Sequence, residues 1–147
     1  MDCYWYRYIY PKNLLLFDNQ KLVAPEISRG GNFALDQNGD FYSTTKAYGY
    51  IKKDDVFESY EFWLGLLNSQ LFWFFIQNTG YVLRGGYYTF KTNYIQPFPV
   101  PENISQSSQE KITCLVNEIT RIKSETSKYK TVMQEREIDF LVYSLYG

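Results

Sequence analysis

At 147 residues the chain suffices for one domain, or one domain with an appendage, and can bury a real core. Its formal net charge is −1, it has no histidine, and its two cysteines, Cys3 and Cys114, lie far apart. That composition excludes Ser-His nucleophiles, histidine zinc ligands and histidine bases. It also gives no disulfide framework or cysteine metal site, so a reducing, cytoplasmic setting is expected. No stretch has the pattern of a signal peptide or a transmembrane helix.

Charge is uneven along the chain. Residues 21–53 carry five bases and three acids, residues 54–61 four acids and no base, and residues 77–96 two bases and no acid. The basic excess falls in two glycine-containing segments, which can make a basic face on a nearly neutral domain. Aromatics make up 20% of residues and Tyr alone supplies 15. Tyrosine suits cores and contact surfaces equally.

Residues 4–10, YWYRYIY, form a dense aromatic run close to Met1. So much apolar surface at a start suggests that further protein preceded it. Residues 21–27, KLVAPEI, read as a strand, and Pro25 makes it an edge or irregular one. Ser28-Arg29-Gly30-Gly31-Asn32 is a polar turn. Residues 33–36 and 40–43 flank Asn38-Gly39, a hairpin signal. Thr44, Thr45 and Lys46 lead into a further strand at 47–51. A small sheet of about three or four strands is expected.

Residues 57–76, FESYEFWLGLLNSQLFWFFI, are the densest apolar run. They predict one helix, capped by Asp55 and Glu58, favoured at its start by Asp54 and Glu61, and ended by Asn78 and Gly80 in a left-handed turn. Apolar nearly all round, it is expected to be the enclosed centre of the fold. Residues 81–83 and 87–91 predict two strands turned by Arg84-Gly85-Gly86. Pro97, Pro99 and Pro101 make the stretch that follows extended and mark a domain edge. Ser107 and Glu110 have capping-box spacing before an amphipathic helix with Ile112, Leu115, Ile119 and Ile122 on one stripe. Residues 137–146 predict another, with Ile138, Leu141, Val142 and Leu145 facing inward. The fold class is therefore α+β, with residues 1–101 as one domain and 102–147 as a helical extension packed on it or on a partner.

No phosphate loop, dinucleotide fingerprint or metal-ligand cluster is present. What remains is binding. Arg84 and Lys91 are set among Tyr87, Tyr88, Thr89, Thr92 and Tyr94, and Arg29, Lys46, Tyr48 and Tyr50 make a second such group. Arginine can pair with the edge of guanine, lysine and tyrosine hydroxyls reach phosphates, and threonine meets the thymine methyl. Glycines at 30, 31, 85 and 86 permit close backbone approach. A protein-docking module without DNA contact, suggested by the aromatic start and amphipathic tail, and a carbohydrate-binding module are the alternatives.

The order of segments carries a resemblance. Tyr6-Arg7, KLVAPEIS, NFALDQNGDFYSTTKAYGYI, WLGLLNSQLFWFFI and RGGYYTFKTNYIQPFPVP follow one another, and IDFLVYSLYG closes the chain. Over residues 4–101, and less fully over 135–147, the chain resembles the TaqI-like C-terminal specificity domain of type IIG restriction-modification enzymes and adenine-specific DNA methyltransferases. The resemblance implies a non-catalytic target recognition domain for double-stranded DNA, similar in fold to type I specificity-subunit recognition domains. It also implies an upstream methyltransferase domain that binds S-adenosylmethionine, since no Asn-Pro-Pro-Tyr-type motif or cofactor glycines occur here. By position in the matching segments the DNA-binding candidates are Arg29, Thr44, Thr45, Lys46, Arg84, Tyr87, Tyr88, Lys91 and Thr92. The run at residues 4–10 is instead a candidate interface with the upstream domain.

Overall fold

A computed structural model describes residues 14–42, 45–126 and 128–147. The aromatic run at 4–10 and Thr44 lie outside the described residues. The elements run as a 3-10 turn at Leu14–Leu16, β1 (Lys21–Pro25), β2 (Ile27–Ser28), β3 (Ala34–Asp36), β4 (Ala47–Tyr50), α1 (Tyr60–Asn68), α2 (Gln70–Thr79), β5 (Val82–Leu83), β6 (Tyr87–Thr89), α3 (Thr92–Ile95), α4 (Gln106–Glu125) and α5 (Val132–Ser144). The class is α+β, as expected, but the strands form two antiparallel three-stranded sheets, ordered β3-β1-β4 and β2-β6-β5.

The two sheets share one stretch of chain. β1 is central in the first sheet rather than an edge, with Leu22 opposite both Leu35 and Tyr50. Pro25, which has no N–H to donate, occupies its last position opposite Ala47. The chain then passes through Glu26 into β2, where Ile27 faces Thr89 and Ser28 faces Tyr88. Glu26 joins the sheets directly. Its N–H donates to the Lys46 carbonyl at 2.9 Å and its carbonyl accepts from the Phe90 N–H at 2.8 Å.

Asn38-Gly39 does turn the chain, but no hairpin follows among the described residues. The Asp36 carboxylate takes the N–H groups of Asp40 and Phe41, both at 3.0 Å, so a side chain and not a ladder satisfies the backbone there. The same carboxylate meets the Lys21 ammonium at 2.5 Å, with both side chains 2% exposed. Burial pushes the Asp36 carboxyl up, but the Lys21 hydrogen bond, the two backbone N–H groups and the Lys21 charge together hold it below the usual value of 3.8.

The apolar run is two helices rather than one. Ser69 interrupts it in extended conformation: its N–H and Oγ donate to the Leu66 carbonyl, and its Oγ accepts from the Phe72 N–H. One serine thus closes α1 and caps α2. The start of α1 is capped by Ser59, whose Oγ accepts from the Phe62 N–H at 3.0 Å, and not by Asp55 and Glu58. Gly80, after α2, is extended rather than left-handed. Nor are the helices enclosed all round. Phe62, Leu66, Phe72 and Ile76 are fully buried, while Phe74 is 62% exposed. Burial of each such side chain contributes about 1.5–3 kcal/mol.

Phe33 meets the rings of Phe72 and Phe90 edge-on, and those two rings are tilted against each other. Phe98 closes that side against Phe72 and Phe75. The short helix α3 precedes Pro97, so the proline-rich stretch is extended only beyond it. α4 is capped by Ser105 rather than Ser107. It packs Ile112 and Val116 into the core, with Ile138 and Val142 of α5 beside them. Asp139 of α5 accepts from the Gln70 N–H at 2.8 Å, setting an acid at the start of α2. Among the described residues no helix is long and apolar enough to cross a membrane.

Candidate nucleic-acid interface

The second sheet brings the two Arg-Gly-Gly bends to one end. Ser28 faces Tyr88 and Val82 faces Tyr88 from the other side, so β6 lies between β2 and β5. β2 leaves toward Arg29 at the end where β6 begins at Tyr87, and Leu83 opposite Tyr87 leads into Arg84. Two strand spacings separate the bends, about 10 Å, within the roughly 12 Å width of a major groove. Arg29 and Arg84 are both exposed, and neither makes an ion pair among the described residues.

The bends are held differently. In the first, the Asn32 amide donates to the Ser28 Oγ at 2.5 Å, and Ser28 is buried. Asn68, the last residue of α1, grips the next residue twice: its Oδ1 accepts from the Phe33 N–H at 2.9 Å and its Nδ2 donates to the Phe33 carbonyl at 3.0 Å. Gly31 runs so close to α1 that a Cβ there would stand 2.8 Å from the Asn68 Cα and from the Leu67 carbonyl oxygen. In the second bend the Gly86 N–H donates to the Leu83 carbonyl at 3.2 Å, closing a turn around Arg84 and Gly85. Gly85 and Gly86 have φ of 87° and 76°, which only glycine adopts freely. Nothing lies within 4 Å of a Cβ built at Gly86. Tyr87 is exposed, whereas Tyr88 turns inward and meets the Trp73 ring edge-on at 5.2 Å.

Lys46 and Lys91 form a second group around Glu26. Lys46 Nζ stands 4.0 Å from Glu26 Oε2 and Lys91 Nζ 3.9 Å from Glu26 Oε1. The lysine side chains are 83% and 55% exposed, the glutamate 20%. Tyr48 joins them: burial, then the Glu26 charge and hydrogen bond, push its phenol up. Thr45 is exposed beside Lys46, and Thr92, exposed, opens α3 after Lys91. Arg29 is three residue steps beyond Glu26, so this group lies about 10 Å along the strand from the arginine end.

The structure thus gathers Arg29, Arg84 and Tyr87 at one end of the sheet and Thr45, Lys46, Lys91 and Thr92 at the other. Tyr88 lies between, facing the core. The sequence reading missed Glu26 and Asn68. Glu26 was legible as the acid between Pro25 and the first bend; Asn68 carried no signal, because its partner is 35 residues away. A cavity of about 660 Å³ between the β3 segment, α1, α4 and α5 is lined by none of the eight candidates among the described residues.

The described residues thus make an α+β domain with one exposed arginine on each of two adjoining bends. The sequence profile of the TaqI-like C-terminal specificity domain matches residues 3–100, and the chain belongs to that family. Such domains serve target recognition in restriction-modification enzymes. No curated protein matches the chain.

Proposed function

We propose that the chain recognises double-stranded DNA in a sequence-specific way and performs no chemistry itself. The observation that carries this reading is the arrangement of Arg29 and Arg84 on adjoining bends of one sheet end, both exposed. Arg84 and Arg29 read base edges; Lys46 and Lys91 hold phosphates. The parent enzyme supplies an upstream adenine methyltransferase domain, which binds S-adenosylmethionine and takes the other side of the duplex.

The test starts from duplexes selected by the chain out of a randomised pool. Arg84→Ala is expected to lose about 1–3 kcal/mol on the selected duplex and to relax preference at one base pair. Lys91→Ala is expected to weaken selected and scrambled duplexes alike and to reduce the salt dependence by about one contact. Equal losses on both duplexes for both arginine variants remove the reading role. A second reading, docking on another protein, has one observation in its favour: the outer side of α5 exposes Met133 (74%) and Phe140 (70%). It predicts no shift of the sheet resonances when duplex is added at low salt.

A further inference from the structure

We infer that Glu26 restrains sequence-independent DNA binding, by occupying the two lysines that would otherwise hold phosphates. The inference rests on the DNA-binding reading above and adds to it a residue of opposite charge. Of the three acids between residues 21 and 53, Asp36 is committed to the buried Lys21, and Asp40 lies in the turn that Asp36 holds. Glu26 alone stands between two of the proposed phosphate contacts, with one carboxylate oxygen toward each ammonium.

The mobility of the partners is unequal. The Glu26 backbone is bonded into both sheets and its side chain is mostly buried. Lys46 and Lys91 reach it with long, exposed side chains at distances beyond a direct hydrogen bond. A phosphate can therefore draw the lysines away but cannot displace the carboxylate. In that state Glu26 remains as a fixed negative charge beside the DNA backbone. Affinity that comes from phosphate contacts alone is lowered, and that is the affinity which keeps a DNA-binding protein on irrelevant sequence.

The experiment uses the whole chain and a random-sequence 20-base-pair duplex, with affinity measured across a salt series. Glu26→Gln keeps the size of the side chain and both backbone bonds. It is expected to tighten binding about three- to tenfold at low salt and to steepen the plot of log affinity against log salt by about one to two. In a Lys46→Ala/Lys91→Ala background the same substitution is expected to change both quantities less, because only the repulsion from the fixed carboxylate is left to relieve. A purely structural role would move the melting temperature and leave the salt slope alone. An unchanged slope in Glu26→Gln, with the lysine variants still flattening it, overturns the inference and leaves the DNA reading standing. Weaker binding of Glu26→Gln to the selected duplex also overturns it, making Glu26 an acceptor for a base. If neither the lysine variants nor Glu26→Gln alters binding, the DNA reading fails and the inference with it.

Discussion

Arg29-Gly30-Gly31 and Arg84-Gly85-Gly86 are the same three residues in two mechanical settings. The first is clamped: Asn68 holds Phe33 by two hydrogen bonds, and Gly31 is pressed on the end of α1. The second is a short turn closed by one backbone hydrogen bond, with open space around Gly86. At the first bend Gly30 is required for backbone conformation, with a φ of 105°, and Gly31 for lack of room; at the second, Gly85 and Gly86 are required for conformation alone. Under the proposed function, the first bend is the fixed jaw of the recognition surface and the second the adjustable one.

Substitutions can break or sharpen that contrast. The largest effect is expected from Gly31→Val, where the added carbons meet backbone that cannot give way. A loss of about 3 kcal/mol is expected in denaturant unfolding, with DNA binding lost alongside. Asn68→Ala leaves the Phe33 N–H and carbonyl without partners and is expected to cost about 2 kcal/mol by the same measurement. Gly86→Ala has room but must hold a φ of 76°, so about 1 kcal/mol is expected, with the change read chiefly in DNA preference. If Gly86→Ala proves as destabilising as Gly31→Val, the two jaws are not distinct. The smallest expected effect is with acid. Because the Asp36 carboxyl is held below 3.8 in the folded chain, its contribution is present above that value and is lost as pH falls through and beneath it. Near-ultraviolet dichroism is expected to show the β1–β3 side loosening there, and Asp36→Asn to remove that step.

Local chemistry made much of the fold legible. The second bend between two short strands and the inward stripe of α5 follow from glycine placement and helical spacing, whereas on α4 Val116, buried beside Ile112, lies outside the expected stripe. Several of the failures share a cause: a polar side chain did what the pattern assigned to something else. Ser69 split the apolar run, although Asn68-Ser69 was a visible polar interruption. Asp36 replaced a hairpin ladder after Asn38-Gly39. Ser59 and Ser105 took the caps expected of their neighbours. At the candidate site, residue types were legible but their grouping was not. That Lys46 and Lys91 share one carboxylate depends on two sheets meeting at Glu26, which no local spacing encodes.

The pairing of β2 with β6 covers only Ile27 with Thr89 and Ser28 with Tyr88. The segment from Tyr81 to Thr89 otherwise closes on itself, with Trp73 as a resting place for Tyr88. So small a seam makes that segment an interchangeable cartridge. Under the proposed function, a graft from a relative has to fit two register positions and one indole, and is expected to bring its own target preference without a rebuilding of the scaffold beneath it.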